Sequence, residues 1–368
     1  MSINILNEII LIRNILKNGC EQEITEEYFN DLSCKVFSYQ FKNNIPYQKY
    51  CLSRNKTPDT INNYKDIPAV PTSAFKEVSL ICFPESESIN YFLTSGTTQG
   101  KQGKHCIRNY DLYYASLLPT FSYYVMPDTE KMEMVILSPS PDDQPHSSLI
   151  TMFDAIRKSL GTEMSNYYMD NQEIKFNNLY ERLEDIQNSH IPICLLGTSL
   201  SFRYLMEWCR QNDKIFKLPE GSRLMDTGGA KTKAKEIERE KLLGKYKDVF
   251  GIPSYAIINE FGMTEMFSQY YDSCFRMHTI SLKLQQDVKM GPPWLRSLAV
   301  DPETLEPLPD GKIGLLRHYD LANVETVMAI QTEDIGIVRG RELVFLGRSI
   351  GALERGCSLT IEEIIKNQ

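Results

Sequence analysis

The chain has 368 residues, 42% hydrophobic and 24% charged, with a formal net charge of −8. That composition suits a globular protein with room for one large domain or two ordinary ones. The acidic balance argues against a general nucleic-acid binder or a protein drawn to anionic membranes, and no apolar run reaches the roughly 20 residues that a membrane helix needs.

The nine cysteines are scattered, and none forms a C-x-x-C pair, so neither a zinc knuckle nor a thioredoxin motif is expected. The opening run Met1-Ser-Ile-Asn-Ile-Leu-Asn-Glu8 has an acid and no basic segment, so no secretory leader is expected. The thiols read as reduced, in a cytoplasmic protein, and most of them as small buried hydrophobes.

Residues 1–45 read as helices. Ile5, Leu6, Ile9, Ile12 and Leu16 make an amphipathic stripe, and Thr25 before two glutamates reads as an N-cap. In Asp66-Ile-Pro-Ala-Val-Pro-Thr-Ser-Ala-Phe-Lys76, two prolines impose an extended path before a short helix capped by Thr72 or Ser73.

Tyr91-Phe-Leu-Thr-Ser-Gly-Thr-Thr-Gln-Gly-Lys-Gln-Gly-Lys-His105 is the first sharp signal. Gly96 and Gly100 let backbone come close to a ligand, and successive N–H groups in such a loop can nest an anion. Thr94, Ser95, Thr97 and Thr98 add hydroxyls, and Lys101 and Lys104 add charge. The spacing is neither that of a Walker A loop nor that of a dinucleotide fingerprint. The chemistry is that of a polyphosphate cradle.

Helix is expected over Tyr110–Tyr124 and strand over Met132–Leu137. The polar loop 138–148 then leads into a helix at Leu149. Its His146 and Ser147 are candidates for lining an acyl site, because open α/β sheets bind ligands beyond the carboxyl ends of strands; a helix-start role for His146 stands beside that reading. Residues 163–190 are acidic and rich in Asn and Tyr, with no sharp signal. Ile191–Gly197 reads as strand, with Thr198-Ser199 capping a helix through Trp208. Arg223-Leu-Met-Asp-Thr-Gly-Gly-Ala-Lys231 reads as strand then turn, followed by a charged helix, Lys231–Tyr246.

Tyr255-Ala-Ile-Ile-Asn-Glu-Phe-Gly-Met-Thr-Glu265 is the second sharp signal. A β-branched strand runs into a turn at Gly262. Thr264 can donate to a phosphate oxygen, and Glu265 can hold Mg²⁺, which takes one or two carboxylates plus substrate phosphates. Residues 301–312 form a turn-rich hairpin region. Strands follow at Gly314–Tyr319, Ile335–Arg339 and Glu342–Leu346, with a hairpin turn at Gly340-Arg341, as in an antiparallel sheet or small barrel.

T-S-G-T-T-x-G-K and F-G-M-T-E resemble two motifs of the adenylate-forming superfamily, the acyl-CoA synthetases, luciferases and peptide-synthetase adenylation domains. Gln99 stands where that pattern has glycine, with Gly100 one place later, so either Lys101 or Lys104 can answer to its loop lysine. P-A-V-P-T-S-A-F-K narrows the resemblance to the bacterial acyl-protein synthetase family, the synthetase component of fatty acid reductases.

The resemblance implies a layered α/β fold with a small antiparallel subdomain near the C-terminus, spanning 1–346 as the AMP-binding domain with 347–368 as a short remnant of a truncated lid. It implies ATP and Mg²⁺ as cofactors. Gly228, Gly229 and Phe261 fall at the adenine, Asp334 (from T-E-D-I-G) at the ribose, and Arg348 (from L-G-R) at ribose or phosphate. It also implies that the acyl group of a carboxylic acid, a fatty acid in the best-known relatives, passes through acyl-AMP to a cysteine near the C-terminus. Cys357 in Arg355-Gly-Cys-Ser-Leu-Thr-Ile matches. A thiolate there is favoured by Arg355 or by a helix start, and a thioester can pass the acyl group to a partner reductase or carrier. Residues 349–368 are too few for the usual lid with its lysine, and Lys366 is not a substitute. Two rival readings stay open: delivery to CoA or a carrier-protein thiol, and a non-catalytic nucleotide-binding relative.

Overall fold

Between residues 121 and 261, buried strands alternate with helices. In the computed structural model, Glu133–Leu137, Ile193–Thr198, Arg223–Thr227 and Ile257–Phe261 pair in parallel, with Asn166–Tyr167 on the outer edge of Glu133–Leu137. Residues 11–94, 102–171, 173–228, 239–282 and 288–348 are described. Parallel strands buried on both faces read as nearly continuous aliphatic runs, and Ile193-Cys-Leu-Leu-Gly197 is such a run, buried throughout. Helices Ser148–Leu160, Phe176–Ser189, Ser199–Gln211 and Arg239–Phe250 intervene. At Gly197 an added Cβ would stand 3.0 Å from Leu137 Cβ and 3.1 Å from the Phe202 ring, so glycine lets strand and helix close up. Thr198, Thr227 and Glu260 form one row across three strands, so the carboxyl ends of these strands finish level.

This part belongs to a unit made of Phe121–Phe261 and Tyr271–Val288; the other unit comprises Met1–Thr120, Gly262–Tyr270 and Lys289–Gln368. In the latter, Leu295–Val300, Ile313–Asp320, Ala329–Arg339, Glu342–Arg348 and Lys289–Met290 lie in that order as an antiparallel sheet. Val70–Pro71 pairs in parallel with Ala329–Arg339. Asn90–Leu93 and Lys104–Ile107 make a separate hairpin. Gly340, at φ +58°, makes the expected turn between the last two long strands.

The Thr25 and Thr198 caps are present: each hydroxyl accepts a backbone N–H of its helix. The short helix at Thr72–Lys76 differs from expectation, since its N-cap is Pro71 and neither Thr72 nor Ser73 caps it. Helix Phe176–Ser189 lies where no signal was read, burying Leu179, Leu183 and Ile186. Of the N-terminal stripe, Ile12 and Leu16 are buried on a helical stretch; Ile5, Leu6 and Ile9 lie outside the described residues. So do 231–238 of the charged helix, whose described part is Arg239–Phe250. Among the described residues no helix is long and apolar enough to cross a membrane.

Arg223 is a buried cation in the parallel unit. Its guanidinium donates to both carboxylate oxygens of Asp128, at 2.6 and 3.0 Å, and to the carbonyls of Val125 and Gly221, and it lies 4.3 Å from the Phe275 ring centre. Arg223 is 1% exposed and Asp128 41%. Removing Asp128 strands a buried charge, so Asp128→Ala is expected to cost about 3 kcal/mol in urea unfolding. Arg223→Met, which removes the charge itself, is expected to cost clearly less.

Candidate active site

The phosphate-loop signal sits on a hairpin. Leu93 pairs with Lys104, and Thr94 closes the root: its N–H donates to the Gly103 carbonyl at 2.9 Å while its hydroxyl accepts from Gly103 N–H at 2.9 Å. Ser95, Gly96, Thr97, Thr98, Gly100 and Lys101 lie outside the described residues. A Cβ at Gly103 would meet the Phe75 carbonyl group at 3.0–3.1 Å and Thr94 Cγ2 at 3.1 Å. The P-T-S-A-F-K run is therefore packed tightly against the loop's root, and a side chain at 103 would need its neighbours to give. Lys104 reaches over the Tyr91 ring, 4.8 Å from its centre.

The F-G-M-T-E turn lies on the same root. The Thr264 hydroxyl donates to the Leu93 carbonyl at 3.5 Å, and His105 Nδ1 donates to the Thr264 carbonyl at 2.7 Å. Two motifs separated by 171 residues are thus in direct contact. A carbonyl can only accept, so the proton is on Nδ1. The His105 ring stacks on Phe267 with centres 5.0 Å apart, and Nε2 has no hydrogen-bond partner among the described residues. Burial pushes the imidazole down to about 4, against the pull of the Thr264 bond, so the ring is neutral at physiological pH. Glu265 is buried, and its backbone carbonyl accepts from Asn323 Nδ2 at 2.6 Å.

Asp334 and Arg348 are cross-strand partners in the same unit. Asp334 N–H donates to the Thr332 hydroxyl. Arg348 pairs with Glu333 at 3.2 Å, just after Gly347, which sits at φ +126°.

In the parallel unit, Gly228 follows strand Arg223–Thr227 at φ +77°, with nothing within 4 Å of where a Cβ would stand. This open, left-handed position is one that glycine takes without strain; Gly229 lies outside the described residues. The Gly228 carbonyl accepts from the Ser199 hydroxyl at 2.7 Å. Phe261 ends the neighbouring strand, one residue past the Glu260–Thr227 pair, whose side chains hydrogen-bond each other. A network missed from sequence holds these strand ends. Asp226 accepts from Arg239, Tyr246 and Asn259, and Asp272 accepts from Arg239 and from the Asn259 N–H. Asp226, inside M-D-T-G-G, carried the one available signal: a charge in a strand buried along its whole length. Of the two acyl-site candidates, Ser147 caps helix Ser148–Leu160, accepting from Ile150 N–H, and His146 is half-buried just before it.

Among the described residues no three or more His, Cys, Asp or Glu side chains cluster as a metal cage. An ion held largely by a nucleotide, as Mg²⁺ is, needs only one or two carboxylates and no such cage.

The profile of the acyl-protein synthetase LuxE family matches residues 3–365. The chain belongs to that family. It is similar to the long-chain-fatty-acid–luciferin-component ligase of Aliivibrio fischeri, 26% identical over 94% of this chain and 90% of the relative. It is also similar to the ligase of the same description from Vibrio harveyi, 24% identical over 89% and 85%. Among solved structures, an open conformation of 2-hydroxyisobutyryl-CoA ligase in complex with 2-HIB-AMP and CoA aligns with a TM-score of 0.62 at 12% identity, over 88% of this chain and 76% of that one. The fold is that of adenylate-forming ligases, as the motifs implied, and an acid–thiol ligase is the enzyme class of the family.

His105 carries a pH consequence. Its folded value of about 4 lies below the ordinary 6.5, so as pH falls from 6.5 towards 4 the unfolded chain takes up a proton that the folded one refuses, and stability drops. For His105 alone the loss is of the order of 3 kcal/mol by pH 4. His105→Asn, which keeps a donor for Thr264 but cannot titrate, is expected to flatten this part of the profile. Urea midpoints measured between pH 7 and 4 check it.

Proposed function

We propose that this LuxE-family protein uses ATP to activate a long-chain fatty acid as acyl-AMP and then takes the acyl group on Cys357 as a thioester, for delivery to a partner reductase or carrier. The observation that carries the reading is the hydrogen-bonded junction of the T-S-G-T-T hairpin root with the F-G-M-T-E turn. It sets the root of the loop that carries the hydroxyls and lysines beside the turn that carries Thr264 and Glu265.

In the first half-reaction a carboxylate oxygen of the acid attacks the α-phosphorus, the bond to the bridging oxygen breaks, and pyrophosphate leaves. Thr94, Ser95, Gly96, Thr97, Thr98 and Gly100 wrap the phosphates, with Lys101 or Lys104 supplying charge. The chain's task is positioning and electrostatic stabilisation. Glu265 would hold Mg²⁺, which neutralises phosphate charge when bound. Asp334 binds the ribose hydroxyls, Gly228, Gly229 and Phe261 flank the adenine, and Gly262 lets the chain turn from Phe261 to Thr264. Arg348 is released from Glu333 to meet ribose or phosphate. His146 and Ser147 lie near the acid, with Ser147's hydroxyl already committed to its helix.

In the second half-reaction a thiolate attacks the acyl carbon and AMP leaves. Cys357 lies outside the described residues; burial pushes Cys20, Cys51 and Cys194 up to about 12 and Cys209 to about 11, and raises Cys34, Cys82 and Cys106 as well, which makes these seven poorer candidates. A thiol, not a thiolate, is a poor nucleophile.

Acid-dependent ATP–pyrophosphate exchange over short, long and aryl acids tests the first half-reaction, and long-chain acids are expected to support it. Cys357→Ser is expected to exchange within about twofold of wild type while its intact mass shows no acyl adduct; an undiminished adduct would place the thioester elsewhere. Full product formation by Cys357→Ser with CoA would favour an external acceptor. Glu265→Gln is expected to lower exchange by about a hundredfold, the scale of losing one electrostatic contact to the transition state.

A further inference from the structure

The segment after strand Ile313–Asp320 belongs to no motif used above, yet its polar side chains converge on the turn that carries Thr264 and Glu265. Asp320 is fully buried. Its Oδ2 accepts from the N–H groups of Phe267 at 3.1 Å and Ser268 at 2.9 Å, and its Oδ1 accepts from the Ser268 hydroxyl at 2.7 Å and Ala322 N–H at 3.0 Å. Asn323, also fully buried, shares the Phe267 N–H through Oδ1 at 2.9 Å and donates through Nδ2 to the Glu265 carbonyl at 2.6 Å. The N-terminal helix Glu26–Asn43 holds this segment in turn. Gln40 Nε2 donates to the Asn323 carbonyl at 2.8 Å, and Gln40 Oε1 accepts from Met328 N–H at 3.2 Å.

We infer that Asp320 and Asn323 are positioning residues of the adenylation site, which fix the backbone from Glu265 to Ser268 so that Thr264 and Glu265 are held over the root of the phosphate-loop hairpin, with Gln40 as their support. Every bond named runs to the backbone or hydroxyl of that turn or of its supporting segment, within one unit of the fold. A freely hinged turn would spread the Glu265 carboxylate over many places and weaken its hold on a nucleotide-bound cation. The inference rests on the proposed role of Glu265 at Mg²⁺.

The test is the Mg²⁺ dependence of nucleotide binding in the full chain. Asn323→Asp keeps the shape and the Oδ1 acceptor but puts an oxygen where Nδ2 donated to Glu265. ATP affinity is titrated by calorimetry across a Mg²⁺ series, and AMP affinity without Mg²⁺. The expected result is that half-maximal Mg²⁺ rises about tenfold, as for loss of a buried hydrogen bond, with AMP affinity within twofold of wild type. A role in folding alone would lower Tm and leave half-maximal Mg²⁺ in place; that result overturns the inference, as does ATP binding by the wild type that is indifferent to Mg²⁺. If Asn323→Asp does not fold, Gln40→Glu, which loses the donor to the Asn323 carbonyl, is read in the same way. A rise of about threefold supports the inference, and no change overturns it. Acid-dependent exchange by the wild type keeps the two readings apart: its absence defeats the proposed activity while the Mg²⁺ titration still decides the positioning role.

Discussion

The carbonyl of half-buried Thr264 takes its hydrogen bond from the buried imidazole of His105. The 2.7 Å bond from His105 Nδ1 joins the second strand of the T-S-G-T-T hairpin to the turn carrying Thr264 and Glu265. The carbonyl fixes a proton on Nδ1, and it is burial, acting against that bond, that keeps the ring neutral. Phe267 fixes the ring's plane by stacking at 6°, and Phe75, on the helix that meets Gly103, lies 5.8 Å from the same ring. The P-T-S-A-F-K run, the T-S-G-T-T hairpin and residues 264–267 meet at this ring: the hairpin carries it, Phe75 and Phe267 pack on it, and the Thr264 carbonyl accepts its hydrogen bond.

The strand ends of the parallel unit are held by a different physics. Two buried carboxylates, Asp226 and Asp272, share one guanidinium, Arg239. Further acceptor capacity goes to Tyr246, to Asn259 and to the Ser199 hydroxyl, which also reaches Gly228. Such a cluster is weak evidence for net stability but fixes a geometry. The Arg348–Glu333 pair is the opposite case. Both side chains are more than a third exposed, such pairs are worth about 0–1 kcal/mol, and Arg348 is correspondingly cheap to redirect.

Much of the fold was legible where the signal is local. The aliphatic run Ile193–Gly197, the Thr25 and Thr198 caps and the Gly340 turn each state their structure within a few residues. The family was legible because its motifs are concentrated in short runs. What escaped depends on distant partners. His105 reads as the end of a loop until Thr264 is beside it. Helix Phe176–Ser189 buries only Leu179, Leu183 and Ile186, a stripe diluted by acidic and amide neighbours. Pro71 displaced Thr72 as the cap because its fixed φ suits a helix entry and its missing N–H is no loss there.

Asp320 and Asn323 show why residue type, once the partners are known, leaves little choice. Four donors face position 320: two backbone N–H groups, a hydroxyl and the Ala322 N–H. A carboxylate offers acceptor sites on both oxygens, whereas an amide would turn two donor hydrogens towards some of those groups. Position 323 faces one donor, Phe267 N–H, and two acceptors, the carbonyls of Glu265 and Val327. An amide matches that set, and a carboxylate would set like partial charges against two carbonyls. Burial raises the Asp320 carboxyl above its ordinary value while the four donors pull it down. The same bonds that orient the turn therefore favour the ionised form, and they act only while Phe267 and Ser268 stay in place. The order of acid then amide in Asp320-Leu-Ala-Asn323 follows from the donors and acceptors of the turn it holds.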